Sequence, residues 1–404
     1  MTTPMKASIG HQRSLGSMPS SKGESRARER HEATELRLEY LKDNIRDVID
    51  IAEPGNESIR QQAQHHAEAV SLLLSRLLPK DAESEAHAII NKSLGDQDEH
   101  AMTSVLVEKA AGFRQWIHHM DEAGGSSRAS TALERIMYPS IMALFEFVTG
   151  CIWRLSAGAG AGADNAQPLR RILPFRNADR NPKYSEDRSR IDLGLTCEAL
   201  DGNDMFQRDD ASDDIEMPMR LDKPSYRRLF AIVEAKGGAT SKDQAAAFDQ
   251  LIQYSKNAYA VQHNRRFVWG ITVCGAVAKV CAFGPNFMLA STAMDLTSEG
   301  GRSELIRLIA CWSFCELDKL GYDPSVRFSR EHGCIEIDVA LAGNGDMESM
   351  QTFYSRDVIT VAERMFGRHT RCFIAHKDPE SAAKRASDPE NGIIIKDAWP
   401  EATE

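Results

Sequence analysis

The sequence lacks any run of about 18 to 20 apolar residues of the length a bilayer span requires, and its first residues are polar, without the apolar stretch of a secretory leader. The expectation is an intracellular protein, cytoplasmic or nuclear, with no membrane partner. Cysteine is sparse, eight in 404 residues with no CxxC pair, which excludes a disulfide scaffold and gives no sign of redox chemistry. With 27 Gly and 15 Pro, the chain is neither collagen-like nor disordered throughout. An excess of positive charge is also missing: the formal net charge is -10, which disfavours unaided adhesion to nucleic acid or anionic lipid, although a local basic strip can outweigh it. What is present is 42% hydrophobic and 27% charged residues, a globular mixture, and at about 150 residues per domain the length allows two or three domains.

Composition and periodicity divide the chain. Residues 1–34 have almost nothing to bury, and the first 30 carry six basic and two acidic side chains, so a basic, disordered tail is expected. Residues 35–125 form a helical region, with Leu36, Leu38, Leu41, Ile45, Val48 and Ile49, and then Ala67, Val70, Leu73 and Leu77, at helical spacing. Another helix is predicted over 131–155. Ala157–Ala163 reads AGAGAGA and leads into a basic segment over 168–190, together a linker or long loop. Strand-like runs follow at 190–196, 229–236, 267–273 and 277–283, with a helix over 242–262 between the second and third. A helix over 303–320 is expected to stop at Gly321. Further strands are predicted at 335–341, 358–361, 371–376 and 392–396.

The residues that could carry chemistry lie in two of these strands. Asp192 interrupts the apolar run Ile191–Leu195, and Glu234 and Lys236 end the run Leu229–Lys236. A carboxylate in a strand is costly to desolvate unless it meets a cation. Strand alternation puts Glu234 and Lys236 on one face and turns Ala235 to the other. Two carboxylates from neighbouring strands suit magnesium or manganese, which would activate a water and polarise a phosphodiester, with Lys236 orienting the water. Asp192 and Glu234 are thus the candidate metal ligands of a nuclease-type site.

Asp192 with Glu234-Ala235-Lys236 resembles the D…E-x-K signature of the PD-(D/E)XK restriction-endonuclease-like superfamily, and Gln250-Leu251-Ile252-Gln253-Tyr254 is similar to the Q-x-x-x-Y helix motif of one of its branches. The signature's proline is replaced here by Arg190-Ile191, and 42 positions separate Asp192 from Glu234. The resemblance implies a mixed α/β sheet flanked by helices over 130–325. It also implies that Gln250 and Tyr254 position metal or substrate, with Glu134 assisting from the first helix.

A wider resemblance, over residues 130–404, is to fungal-type protein kinases. It is carried by Glu134-Arg135-Ile136-Met137-Tyr138-Pro139, by Arg265–Gly275, by Leu320-Gly321-Tyr322-Asp323-Pro324 and by Ile393-Ile394-Ile395-Lys396-Asp397-Ala398-Trp399-Pro400. It implies that 326–404 is a partial kinase N-lobe-like β segment, with Lys396 in the place of the nucleotide-binding lysine. Gly367 stands alone where a glycine-rich loop would be needed, and no kinase catalytic core follows Lys396, so neither ATP binding nor kinase activity is expected.

The expected function is therefore the N-terminal part of a fungal-type kinase-like protein with a metal-dependent phosphodiesterase site, or alternatively a non-catalytic regulatory or interaction module with a protein partner. Seven basic against three acidic residues over 168–190 could contact nucleic-acid phosphates. Cys311 and Cys315 are expected to be buried packing, and Arg265 and Arg266 structural.

Overall fold

A computed structural model of the chain describes residues 48–95, 100–122, 131–158, 171–176, 191, 193–198, 226, 229–285, 287–329, 332–341, 349–361, 370–383 and 392–397. Asp192, the 1–34 tail, Gly367 and most of the basic 168–190 segment lie outside them. Among the described residues the protein is a mixed α/β structure with two sheets and a helical N-terminal region. Helices α1 (Glu57–Leu77), α2 (Ala86–Leu94) and α3 (His100–Glu122) precede the long α4 (Thr131–Gly158). By length and hydropathy the Met137–Ala157 part of α4 could cross a membrane, but 61% of that window is buried inside the fold, which is the pattern of a core helix.

The first sheet runs in the order β1 (Arg171–Arg176), β2 (Leu193–Glu198), β3 (Ala231–Lys236), β4 (Val268–Cys274), β5 (Val277–Phe283) and β6 (Met288–Ala290), with β7 (Met294–Asp295) also on β5. Neighbouring strands are antiparallel except β3 and β4, which are parallel and joined by the crossover helix α5 (Ser241–Val261). α5 starts at a capping box: Thr240 Oγ1 accepts from the Asp243 N–H at 3.2 Å, and Asp243 accepts from the Thr240 N–H at 3.2 Å, which satisfies donors the first turn leaves open.

Alternation assigns the two faces. Ala231, Val233 and Ala235 of β3, Trp269, Ile271 and Val273 of β4, and Ala278, Val280 and Ala282 of β5 join one core cluster with α1, α3, α4 and α6 (Glu299–Phe314). Ile232, Val268, Cys281 and Phe283 face the other way, against Phe248, Leu251 and Tyr254 of α5. The first cluster is continuous from Val48 to Tyr322, so the N-terminal helices and the sheet share one core.

The second sheet is an antiparallel meander of β8 (Val326–Ser329), β9 (Cys334–Leu341), β10 (Ser349–Val361), β11 (Arg371–His376) and β12 (Ile393–Asp397), built on Val326, Ile335, Ile337 and Phe373. The short α7 (Pro379–Ala383) lies between β11 and β12. Arg371, fully buried, links the sheets: its guanidinium donates to the carbonyls of His263 and Arg265 ahead of β4 and lies 3.9 Å from Asp397 on β12.

Several sequence expectations are corrected. The segment over 168–190 is not all loop, because Arg171–Arg176 forms β1; Pro174 is tolerated there since, among the described residues, β1 is the first strand of the sheet and pairs on one side only. The helix expected over 303–320 begins at Glu299, capped by Ser298, and ends at Phe314. Gly321 is not its C-cap. With φ +90°, Gly321 brings the chain so close to β4 that an added Cβ would sit 2.1 Å from the Phe267 carbonyl. The strand expected over 358–361 is the end of a longer one, Ser349–Val361, and β6, β7, β8 and α7 were not legible.

Candidate functional site

Strand β3 is apolar up to Val233, and its last residues place charge at its C-terminal end. Ile232, Glu234 and Lys236 share the face that looks toward α5, while Val233 and Ala235 pack into the large core. Glu234 is fully buried, and Lys236 Nζ donates to its Oε1 at 2.5 Å, the lysine side chain remaining 19% exposed. A carboxylate removed from water needs a cation at contact distance, and the residue two positions along the strand supplies it.

The surroundings hold this end of the strand in place. Across the parallel pairing Glu234 is level with Thr272 and Lys236 with Cys274. The Gly275 N–H donates to the Lys236 carbonyl at 2.8 Å. Gly275 turns the chain at φ +57°, and an added Cβ there would lie 3.2 Å from Ala239 Cβ, so the β4–β5 turn fits against the loop that leads into α5. The Cys274 thiol is pushed up to about 12, first by burial and then by the carboxylate of Asp243, with Lys236 acting in the opposite direction and Glu234 in the same. Glu234 and Lys236 close β3, and Asp243 sits in the first turn of α5, the crossover helix that follows.

The expected site residues are distributed as follows. Glu234 and Lys236 are in contact. Asp192 lies outside the described residues; its neighbour Leu193 is level with Val233, one residue before Glu234. Tyr254 is 5% exposed within the α5-facing core, and Gln250, one turn earlier on α5, is half-buried. α5 covers the face that carries Glu234, whereas α4, with Glu134 in its first turn, packs on the other face. Lys396 lies on β12 level with Cys372 and is exposed. Among the described residues, no group of three or more His, Cys, Asp or Glu side chains gathers in a way that could hold a metal ion.

Arg265 is also fully buried. Its guanidinium donates to Gln262 Oε1 at 2.6 Å, to the Leu320 carbonyl at 2.8 Å and to the Leu229 carbonyl at 2.5 Å, and it stacks 3.9 Å from the centre of the Tyr322 ring. Neutral acceptors and an aromatic face take the place of a counter-ion. Cys311 and Cys315 are buried and form no disulfide among the described residues, and the Cys315 thiol donates to the Trp312 carbonyl at 3.8 Å.

Residues 209–404, just under half of the chain, match the family model for fungal protein kinase. This stretch carries a fungal protein kinase family domain. The match includes Glu234, Lys236, α5 and the whole second sheet but not Asp192 or the Glu134–Pro139 block. No curated protein and no solved structure matches the chain.

Proposed function

We propose that the first sheet carries a divalent-metal-dependent phosphodiesterase site of the PD-(D/E)XK type, attached to the fungal protein kinase family segment. The observation that carries this reading is the fully buried Glu234 carboxylate with Lys236 Nζ 2.5 Å away at the end of β3. A buried ion pair is seldom the most stabilising choice, since apolar residues of the same size often do as well or better. A charged pair at a strand end, beside a helix that carries Gln250 and Tyr254, therefore suits a chemical task better than a structural one. The mixed sheet with its parallel β3–β4 pair and the α5 crossover supports the same reading.

Glu234 and Asp192 would hold magnesium or manganese, for which carboxylate oxygens are suitable donors. When bound, such an ion lowers the pKa of a coordinated water and polarises a phosphodiester. Lys236 keeps its ammonium beside the Glu234 oxygen, where it orients the attacking water and offsets negative charge that builds on phosphate. Gln250 and Tyr254, on the helix over this face, orient the substrate. The test is incubation of pure protein with single- and double-stranded DNA and RNA in magnesium or manganese. Cleavage should occur and be lost in Glu234→Ala; cleavage retained by that variant removes the assignment.

The closeness of Lys236 to Glu234 also favours a second reading, in which the two simply neutralise each other and the domain is a regulatory or interaction module. That reading expects no change in melting temperature with millimolar magnesium or manganese and a protein partner recovered by pull-down.

A further inference from the structure

We infer that Lys279 is a substrate-positioning residue of this same site, contacting a backbone phosphate of the nucleic acid. This rests on the phosphodiesterase reading and adds to it the residue that takes hold of the polyanion. The argument is one of register. Glu234 on β3 is level with Thr272 on β4, and Thr272 is level with Lys279 on β5. Directly paired residues share a face, so the three form a row across the side of the sheet that carries Glu234. The assignment of β5 agrees, because Ala278 and Val280 enter the opposite core while Cys281, two residues from Lys279, joins the α5-facing one. Lys279 thus starts two strand spacings from Glu234, about 10 Å, with Thr272 between them.

Charge and partners point the same way. Lys236 is committed to Glu234 at 2.5 Å. Lys279 is half-buried and its ammonium, among the described residues, has no hydrogen bond or ion pair. Asp295, level with Val277 on the neighbouring strand, accepts from Thr297 N at 2.9 Å and Thr297 Oγ1 at 2.7 Å instead. Register sets Lys236 and Cys274 in the next row of the same face, beside the row that holds Thr272 and Lys279. A lysine held on a strand, with its stem partly covered and its head uncommitted, is a point charge available to a phosphate.

The test separates binding from hydrolysis. A fluorescein-labelled single-stranded 20-nucleotide DNA is titrated in EDTA, at a series of KCl concentrations, with wild type, Lys279→Gln and Lys279→Arg, each checked for an unchanged melting temperature. Loss of one charge-assisted contact should weaken Lys279→Gln by roughly tenfold and reduce the salt slope by about 0.7, and Lys279→Arg should restore both. Equal affinity and slope in wild type and Lys279→Gln, or no binding by wild type at low salt, overturns the inference. Cleavage that persists in Glu234→Ala would instead remove the phosphodiesterase reading, and the metal-free binding comparison would still decide whether Lys279 holds phosphate.

Discussion

Glu234 and Lys236 are unequal partners, because the carboxylate is fully buried while the lysine side chain keeps 19% of its surface. Removing the lysine takes a contacting cation away from a desolvated carboxylate, whereas removing the glutamate leaves a cation that can turn to water. Lys236→Ala should therefore cost roughly 3 to 5 kcal/mol, and Glu234→Ala clearly less, as measured by urea denaturation; equal losses would contradict the burial argument. Asp338 provides a residue-level test of pH dependence. A hydrogen bond from the Arg327 guanidinium, helped by the Thr352 hydroxyl, holds its carboxyl below the ordinary range. That stabilisation is present above the unfolded value, about 3.9, and is lost as pH falls through the lowered folded value. In Asp338→Asn the melting temperature should fall less steeply in acid than in wild type, and superimposable curves would show that the pair contributes nothing. At this scale the Glu234–Lys236 pairing was legible because strand alternation alone puts positions 234 and 236 side by side. Lys279 was not, since its place depends on two strand registers that no local pattern encodes. Nor was the burial of Arg265 and Arg371, whose acceptors include carbonyls from distant segments.

Among the elements, α5 and the strands around it followed the sequence to within one or two residues, because each has a clear period and a clear boundary. Thr240 and Asp243 form the start signal of α5, and β5 alternates between two buried faces. The misread elements failed for identifiable reasons. Pro174 and the flanking arginines hid β1, which is acceptable only as an edge strand. Gly300 and Gly301 hid the first turn of α6, where Gly301 allows so close an approach that an added Cβ would sit 2.2 Å from the Asp295 carbonyl. The close fit of α5 to the sheet gives an element-level prediction. A Cβ at Gly270 would lie 2.8 Å from Phe283 Cε2 and 2.9 Å from Leu251 Cδ1, so Gly270→Ala should destabilise by about 1 to 3 kcal/mol in chemical denaturation. A neutral result would mean that α5 does not pack as tightly on β4 as described.

At the level of the whole molecule, the N-terminal helices and the first sheet share a core that runs from Val48 to Tyr322, and the buried Arg371 fastens the second sheet to the loop ahead of β4. The fungal protein kinase match begins inside this arrangement, at residue 209, and extends through the second sheet. The proposed site therefore draws Glu234 and Lys236 from the matched stretch and Asp192 from before it. Mixed α/β architecture was readable from the alternation of helical and strand periods; the shared core was not, because it arises from contacts between segments far apart in sequence. The account is tested most directly by manganese binding, followed by electron paramagnetic resonance on wild type, Asp192→Ala and Glu234→Ala. One saturable site in wild type, lost in both variants, is the predicted result. A manganese site that survives in Glu234→Ala, or none in wild type, would contradict it.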